Sequence, residues 1–436
     1  MSFSCKTCLK DFKTKGHLDK HAIKKIPCKP SNLVQKLIEA NPEIIQEEKG
    51  SFSQNSIKMN KELSKDLRKA EGIFFTPRKA RDLLFEKLKE FGCNPTTILE
   101  PSFGSGEFLD DAKTIYPKAK LYGVEKNEKL FASYKNQEAE LKQCDFLKYT
   151  TNNNQKMDLI IGNPPYFVTK DKNPKCMVGR PNIYIAFLYK CLEEHLQEDG
   201  FLGFVLPTSL FNCSYYEPMR KYIGKHCSIL FVKELDVDYY ETNQDTMLII
   251  IKKTPDVTQK YIFNRNENIY IMPNYKELQE LVKDTKTLKE LDFKVKTGDV
   301  VWNQEKEKLS DEGTLLIYSS NIIKGELKLE NIANKEKKQY IKNFSKKPIS
   351  QTTILINRGY GNAAYKLEYV LVTDKTFYAE NHVNMIIPNS KEATEKIPDV
   401  LKSLADGKTT RFIELFSGNG ALSKTEIESV LPMYVS

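Results

Sequence analysis

Residues 98–109 read ILEPSFGSGEFL. The apolar start of this stretch predicts a buried strand that ends at Glu100, and its last residues predict a new helix. Between them, Gly104 and Gly106 allow the backbone to approach a ligand closely. The stretch is shorter than the G-x-G-x-x-G fingerprint of dinucleotide sites, and it lacks the Lys-Ser/Thr pair of a phosphate-binding loop. A carboxylate at the end of the strand suits a cationic ligand better than a pyrophosphate.

The neighbouring segments alternate between short apolar runs and amphipathic runs. The predicted strands are TTILE, KLYGVE, DLIIGN and GFLGFVLP, and the predicted helices are EFLDDAKTIY, EKLFASYKNQEAE and NIYIAFLYKCLEEHL. Such alternation predicts an α/β fold with a doubly wound sheet. Ligands of these sheets bind at the carboxyl ends of the strands.

Acidic residues end the next two units of the predicted sheet. Glu125 closes the second strand, about 20 residues after the glycines, where an acid binds ribose hydroxyls in dinucleotide sites. Asp145, in the run CDFL, is placed to accept a hydrogen bond from an adenine amine. A single acid at a strand end is often only solvated, but successive acids in this order predict a pocket for an adenosyl group.

The stretch DLIIGNPPYF at 158–167 leaves a predicted buried strand through Asn163, two prolines and an exposed tyrosine. Pro164 and Pro165 donate no backbone hydrogen bond, and both fix φ. The segment is therefore stiff, and its carbonyl groups have no competing N–H beside them. One interpretation is a strand that simply ends at a Pro-Pro turn. The other interpretation is a functional site.

This series of motifs resembles the S-adenosylmethionine-dependent DNA amino-methyltransferases, and specifically the gamma class of adenine-N6 enzymes from restriction–modification systems. GIFFTPRKARDLL resembles the leading motif of that class, EPSFGSG its glycine motif, NPPY its catalytic motif and NIYIAFLYKCLEEHLQEDGFLGFVLPTSLF the segment that follows, so the similarity spans about 72–254. The resemblance implies a Rossmann-like methyltransferase sheet, S-adenosylmethionine as cofactor and duplex DNA as partner. The cofactor-binding residues that it implies are Phe75, Thr76, Glu100, Pro101, Ser102, Gly104, Gly106, Glu125, Asp145, Phe146 and Asn163.

The resemblance also implies a chemical role for the NPPY turn. An exocyclic adenine amine is a poor nucleophile because its lone pair is delocalised into the ring. Two acceptors aimed at its hydrogens, the side-chain oxygen of Asn163 and the carbonyl of Pro164, free that lone pair. Tyr166 offers a face on which an extruded base can stack, and Tyr240, preferred over Tyr239, is the expected second aromatic wall. The predicted catalytic residues are Asn163, Pro164, Pro165, Tyr166 and Tyr240.

Other substrates share this chemistry and stay open as alternatives. The N4 amine of cytosine, amines of RNA bases and the glutamine amide of a protein present the same lone-pair problem. A DNA-binding module with a catalytically weak core is a further alternative. Methylation of cytosine C5 is rejected, because it usually needs a nucleophilic cysteine after a proline and the only such pair is Pro27–Cys28.

Residues 3–28, FSCKTCLKDFKTKGHLDKHAIKKIPC, have the spacing of a small ββα zinc finger. Twelve residues separate the second cysteine from His21, as in fingers where a helix returns a ligand to a hairpin. His17 as a ligand would shorten that loop, so Cys28 is preferred. The predicted Zn²⁺ ligands are Cys5, Cys8, His21 and Cys28. The finger can bind DNA or protein, and it resembles single fingers fused to proteins of large DNA viruses.

Beyond Thr254 the α/β alternation fades, and the resemblance implies a mixed α+β target-recognition domain. The lysine-rich run at 335–347 fits either a solvated face or a nucleic-acid surface. Arg358 is a candidate for a contact to a base edge, since arginine binds guanine bidentately. The predicted domains are a zinc finger at 1–30, a helix and linker at 31–70, the methyltransferase domain at 71–254 and the target-recognition domain at 255–436.

Composition narrows the partners and the compartment. The net charge of +9 is compatible with a polyanionic partner. No apolar run is long enough to span a membrane, and the start lacks the apolar core of a signal peptide, so we expect a soluble intracellular protein. The cytoplasm, a viral replication compartment and the nucleus all fit. We expect a monomer, with a separate cognate restriction endonuclease as a candidate partner and no fused nuclease.

Overall fold

The computed structural model describes residues 52–435 except 137, 171–172, 236–244, 330–331, 333, 335, 359–365 and 418–421. It also describes two short antiparallel strands near the start, β1 (Phe3–Ser4) and β2 (Asp11–Phe12). The predicted zinc ligands and Tyr240 lie outside the described residues. The chain divides into two units, and their residues are Met1–Ile262 with Ile269–Pro273 for the first, and Phe263–Asn268 with Asn274–Ser436 for the second.

The first unit alternates strands and helices. Its helices are α1 (Gln54–Glu62), α2 (Lys65–Glu71), α3 (Arg78–Glu90), α4 (Glu107–Ile115), α5 (Glu128–Ser133), α6 (Ile183–Lys190), which continues as a π-helical turn at Cys191–His195, and α7 (Glu217–His226). Its strands are β3 (Thr97–Glu100), β4 (Lys120–Glu125), β5 (Ala139–Gln143), β6 (Met157–Gly162), β7 (Leu196–Pro207), β8 (Cys227–Leu235) and β9 (Thr246–Lys253). Two short strands, β10 (Ile262–Arg265) and β11 (Asn268–Ile271), carry the chain toward the second unit.

Strands β3 to β9 form one sheet in the order β5-β4-β3-β6-β7-β9-β8. Strand β9 runs opposite to the other six strands, which all point the same way. This arrangement confirms the predicted α/β Rossmann-like methyltransferase sheet. The strand order reverses between β3 and β6, where Ile98 pairs with both Leu121 and Leu159. Such a reversal opens a crevice at the carboxyl ends of the two strands, which is where ligands of these sheets bind.

Apolar residues on both faces hold the sheet. Leu84 and Leu88 of α3 and Leu109 of α4 pack with Ile98 and Leu159 of the central strands in one buried cluster. Strands β6 and β9 are buried almost throughout, and β7 is buried from Leu202 to Pro207, as expected for central strands covered on both faces. The sequence overestimated one helix: α5 is short, and the end of the predicted run EKLFASYKNQEAE enters strand β5 instead.

Helices α1 and α2 occupy a region for which the sequence predicted a flexible linker. Met59 and Leu63 pack against Leu130 of α5. Ser56 is buried, and its hydroxyl lies 2.6 Å from the hydroxyl of Ser105 in the glycine turn. The linker prediction is wrong here, because a few well-placed apolar residues fix an otherwise polar segment to the sheet.

The second unit contains two four-stranded sheets and four terminal helices. Its sheets have the strand orders β12-β21-β18-β19 and β13-β17-β14-β20. Its strands are β12 (Phe293–Thr297), β13 (Leu309–Ser310), β14 (Thr314–Ile317), β15 (Ile322–Ile323), β16 (Glu326–Leu327), β17 (Tyr340–Ile341), β18 (Thr353–Asn357), β19 (Tyr369–Val372), β20 (Phe377–Ala379) and β21 (Val383–Pro388). Its helices are α8 (Tyr275–Val282), α9 (Lys391–Glu395), α10 (Ile397–Ala405), α11 (Gly407–Ser417) and α12 (Lys424–Ser429). Across the described part of the chain, none of the helices has the length and apolarity needed to cross a bilayer.

Candidate active site

A cavity of about 330 Å³ lies beside the carboxyl ends of β3, β4 and β6. Nine sequence-predicted site residues line it: Phe75, Pro101, Ser102, Gly104, Glu125, Asp145, Phe146, Asn163 and Pro165. Two more, Thr76 and Glu100, line a smaller cavity of about 30 Å³ that shares Phe74, Phe75, Ser102, Gly104 and Asn163 with the first. Sequence motifs that lie far apart along the chain therefore meet at this edge of the sheet.

Sequence reasoning missed several residues that line the larger cavity. Glu71 directly follows the predicted linker, and Phe74 lies within the predicted leading motif beside Phe75. Phe167 directly follows the NPPY turn, and that adjacency is a signal that the sequence offered. Phe187 lies four residues after Ile183 on α6, so both fall on one helical face toward the cavity.

The two glycines of the turn have different roles. Gly104 has φ +55°, and a Cβ there would meet nothing within 4 Å, which fits its place at the cavity. Gly106 has φ +87°, and a Cβ there would lie 2.1 Å from the ring of Tyr134. Gly106 lines neither cavity. It therefore allows close packing of the turn rather than close approach of a ligand.

Glu125 links the glycine turn to the end of β4. Its two carboxylate oxygens accept backbone hydrogen bonds from Gly104 at 2.9 Å and from Asn127 at 2.7 Å. Burial raises the pKa of Glu125, although these backbone N–H groups oppose that rise. A carboxylate has about four lone-pair sites, so Glu125 keeps capacity for ligand hydroxyls.

The carboxylate of Asp145 already contacts two neighbouring groups of the protein. One of its oxygens accepts from the backbone N–H of Leu147 at 3.1 Å, and the other lies 3.1 Å from Lys126 Nζ. Lys126 is largely exposed, so this ion pair contributes little to stability. Asp145 is thus held at the cavity wall with acceptor capacity remaining.

Glu100 is the buried carboxyl at the end of β3. It is 2% exposed, and its Oε2 has no hydrogen-bond partner among the described residues. Burial raises its pKa well above the usual range, and the negative charges of Glu125, Glu107 and Asp110 add to that rise. An unpartnered buried carboxyl beside a cavity is complementary to a cationic or N–H-donating ligand.

Asn163 is fixed by the segment that precedes α3. Its Nδ2 donates to the carbonyl oxygen of Phe74 at 3.1 Å and to Oγ1 of Thr76 at 3.0 Å. The hydroxyl of Ser102 donates to the carbonyl of Asn163 at 3.4 Å. The turn after β6 is therefore held from two sides, by the leading motif and by the loop after β3.

Tyr166 differs from the exposed tyrosine expected from the sequence. It is 9% exposed, its ring stacks on Phe74 with centroids 5.9 Å apart, and the edge of Tyr184 packs against it. Its hydroxyl can donate to Asn163 Oδ1 and to the carbonyl of Val205, the latter at 2.7 Å. The expectation of exposure is wrong, because the phenol finds hydrogen-bond acceptors inside the protein.

The lysine-rich run of the second unit is largely paired with acids. Lys338 lies 2.9 Å from Asp311, and Lys342 pairs with Glu312. Lys337 lies over the ring of Trp302, 5.1 Å from its centroid. Arg358 is exposed, and its backbone N–H donates to the carbonyl of His382 at 2.9 Å. No cluster of three metal-ligating side chains occurs in the described ranges, which do not include the predicted zinc ligands.

The chain is similar to several known proteins. A family model described as Eco57I restriction-modification methylase matches residues 45–241. The Type II methyltransferase M.CvrRI of Paramecium bursaria Chlorella virus XZ-6E is 32% identical over 392 residues, which cover 87% of this chain and 98% of that protein. The Modification methylase CviBIII of Paramecium bursaria Chlorella virus NC1A is 30% identical over 391 residues, with the same coverage of 87% and 98%. Among solved structures, the methyltransferase subunit of a type I restriction-modification system from Streptococcus thermophilus is 20% identical with a TM-score of 0.37, and the match covers 48% of this chain and 52% of that one.

The close approach of Gly72 to the NPPY turn gives a test of this geometry. Gly72 has φ +66°, and a Cβ there would lie 2.5 Å from the backbone nitrogen of Tyr166. We expect Gly72→Ala to lower the free energy of opening of β6 by about 2–4 kcal/mol, the sum of left-handed strain and overpacking. Denaturant-dependent hydrogen exchange of the β6 amides measures this quantity.

Gly92→Ala is the matched control. Gly92 has a similar φ of +74°, but a Cβ there would meet nothing within 4 Å. Only the backbone strain of about 1 kcal/mol is expected. Equal effects of the two substitutions would show that Gly72 does not need to approach the turn closely.

Proposed function

Because the chain belongs to the type II restriction–modification methyltransferase family, we propose that it transfers a methyl group from S-adenosylmethionine to N6 of an adenine flipped out of duplex DNA. The observation that carries the proposal is the Asn163–Tyr166 turn beside a cavity bounded by Glu125 and Asp145. Acceptors for an amine beside a pocket with acidic walls support this proposal.

The residues present fit S-adenosylmethionine. Glu100 supplies a buried carboxyl oxygen without a partner in the described chain, which suits the ammonium group or the sulfonium charge of this cofactor. Glu125 and Asp145 supply acceptors for ribose hydroxyls and for the adenine amine, and Phe146 and Phe187 supply apolar contact for the ring. When bound, the cofactor supplies an electrophilic methyl group.

In this proposal, Asn163 and Pro164 act on the target amine. Asn163 Oδ1 and the Pro164 carbonyl accept its two hydrogens, which draws the nitrogen toward a tetrahedral geometry and frees its lone pair. The proton leaves after methyl transfer, so no strong base is required. Proximity and orientation supply the remaining rate enhancement. Tyr166 and Tyr240 are proposed to stack on the extruded base. Phe74 and Tyr184 already pack against the ring of Tyr166, so stacking on Tyr166 requires one of these neighbours to move aside.

The proposed role of the C-terminal part follows from the same family, and the proposed finger follows from the spacing of cysteines and histidines at 3–28. Residues 255–436 serve as the target-recognition domain, with Arg358 as a candidate contact to a base edge. Residues 1–30 form a single zinc finger that adds affinity for DNA or protein. The antiparallel pairing of β1 with β2, in which Phe3 lies opposite Phe12, supports this proposal because a ββα finger begins with a hairpin.

Methyl transfer to a library of duplexes, followed by mass spectrometry of the nucleosides, tests the function. We expect N6-methyladenine as the product. Asn163→Ala should lower turnover by about 10²- to 10³-fold with little change in cofactor affinity, because it removes one acceptor from a preorganised site. Asn94→Ala is the control, since Asn94 is exposed and lines neither the 330 Å³ nor the 30 Å³ cavity.

Other outcomes of this experiment decide between the alternatives. N4-methylcytosine would reassign the target base. In parallel assays that offer RNA or protein as the acceptor, label on RNA or on a protein glutamine, with none on DNA, would contradict a DNA substrate. Tight DNA binding without methyl transfer to any acceptor would favour the catalytically weak DNA-binding module.

The buried Glu100 predicts a pH dependence of cofactor binding. Its pKa is raised in the ligand-free protein, and a cation favours its ionised form. Cofactor binding should therefore release a proton, and affinity should rise as the pH increases through the raised pKa of Glu100. Calorimetry in buffers of different ionisation enthalpy measures this release. Glu100→Gln should abolish it; an unchanged proton release would assign the proton to another group.

Metal analysis tests the finger. Wild-type protein should carry one zinc ion per chain, and Cys28→Ala should lose it, because a structural site needs all of its protein ligands. His17→Ala should keep the zinc. Loss of zinc in His17→Ala, with zinc retained in Cys28→Ala, would identify His17 as the fourth ligand. Wild-type protein that binds no zinc would contradict the proposed finger.

A further inference from the structure

We infer that Thr76 is a positioning residue for the amide of Asn163, and that the buried Arg81 holds Thr76 in place. This inference rests on the proposed function, because it concerns the orientation of the amide that accepts from the target amine. It gives the leading motif a role in the chemical step, in addition to the cofactor contact expected from the sequence.

The orientation of the Asn163 amide follows from its partners. The Phe74 carbonyl has only lone pairs, so the side-chain atom 3.1 Å from it must be the NH₂ group of Asn163. Thr76 Oγ1 accepts the second hydrogen at 3.0 Å. With both N–H groups engaged on this side, Oδ1 faces the other way and accepts from the Tyr166 hydroxyl.

A rotated amide could not do the proposed chemistry. Rotation by half a turn would place Oδ1 against the Phe74 carbonyl, which puts two acceptors face to face. It would also present an NH₂ group to the NH₂ group of the target base, where neither can accept. The terminal torsion of asparagine is broad, so the orientation depends on these partners and not on the rotamer.

Arg81 fixes the backbone that carries these acceptors. Its Nη1 donates to the Thr76 carbonyl at 2.6 Å and lies 3.2 Å from Glu107 Oε2, and its Nε lies 2.6 Å from Asp111 Oδ2. Arg81 is 5% exposed. Glu107 and Asp111 lie one turn apart on α4, directly after the glycine turn. The ion pairs of Arg81 join α3 to α4, and its hydrogen bond holds the carbonyl of Thr76. The hydroxyl of Thr76 in turn accepts from the amide of Asn163.

The first experiment measures turnover at saturating S-adenosylmethionine on the duplex that the wild-type enzyme methylates. Thr76→Val keeps the shape of the side chain and removes its acceptor. Turnover should fall about fivefold to tenfold, because one neutral hydrogen bond to the amide is lost. Thr76→Ser keeps the hydroxyl and should restore most of the rate. Thr151→Val is the control, because Thr151 is also buried and hydrogen-bonded but lines neither the 330 Å³ nor the 30 Å³ cavity.

A double-mutant cycle separates positioning from other roles of Thr76. On an Asn163→Ala background, Thr76→Val should cause no further loss, because no amide remains to be positioned. A loss of equal size in both backgrounds would assign Thr76 to cofactor binding or to stability and overturn the inference. Failure of Thr76→Ser to restore turnover would overturn it as well.

A second readout does not depend on the reaction. Nitrogen NMR of asparagine-labelled protein reports the side-chain amide of Asn163, identified as the signal that Asn163→Ala removes. Thr76→Val should shift that signal, and Thr151→Val should leave it in place. If the wild-type chain methylated no DNA, the proposed function would fail while this measurement still tested the positioning. An unshifted signal in Thr76→Val would overturn it.

Discussion

The hydrogen bond from the Asn163 amide to the Phe74 carbonyl is the interaction on which the candidate site depends. It joins the turn after β6 to the segment between α2 and α3. These two parts of the chain are 89 residues apart, and strands β3 to β6 lie between them in the sequence. Gly72 makes the approach possible, because any side chain there would strike the backbone of Tyr166. The stacking of Phe74 on Tyr166 then covers the junction with apolar surface. The leading motif thus lines the cavity and also holds the NPPY turn in position.

A second constraint is the concentration of carboxyl groups at one edge of the sheet. Glu100, Glu107 and Glu125 are all buried near the glycine turn. Burial and mutual repulsion would make three ionised carboxylates costly, so each needs a specific form of compensation. Backbone N–H groups compensate Glu125, and Arg81 compensates Glu107. Glu100 is left without a comparable partner for Oε2 in the described chain, which leaves a complementary place for positive charge.

The sequence predicted the sheet and nine of the residues that line the larger cavity, because these depend on short-range patterns. Strand ends, the glycine turn and the NPPY turn each have a local signature, and the topology of a doubly wound sheet brings strand ends together. It did not predict α1 and α2, since their stability comes from a few contacts such as Met59 with Leu130 and not from periodicity. The burial of Tyr166 was also missed, because the Val205 carbonyl and the Phe74 ring that enclose it come from distant parts of the chain.

The hydroxyl of Tyr166 connects the resting site to the proposed reaction. A phenol has one hydrogen to donate, and two acceptors are in reach, Asn163 Oδ1 and the Val205 carbonyl. A bond to Asn163 keeps that oxygen from being buried without a donor before substrate arrives. When a target amine takes its place at Oδ1, the phenol can keep a partner by donating to Val205 at 2.7 Å. The exchange replaces one hydrogen bond by another. The Asn163 oxygen therefore has a donor both before and after the substrate binds. The tyrosine of the NPPY turn therefore has a polar function in addition to the stacking expected of its ring.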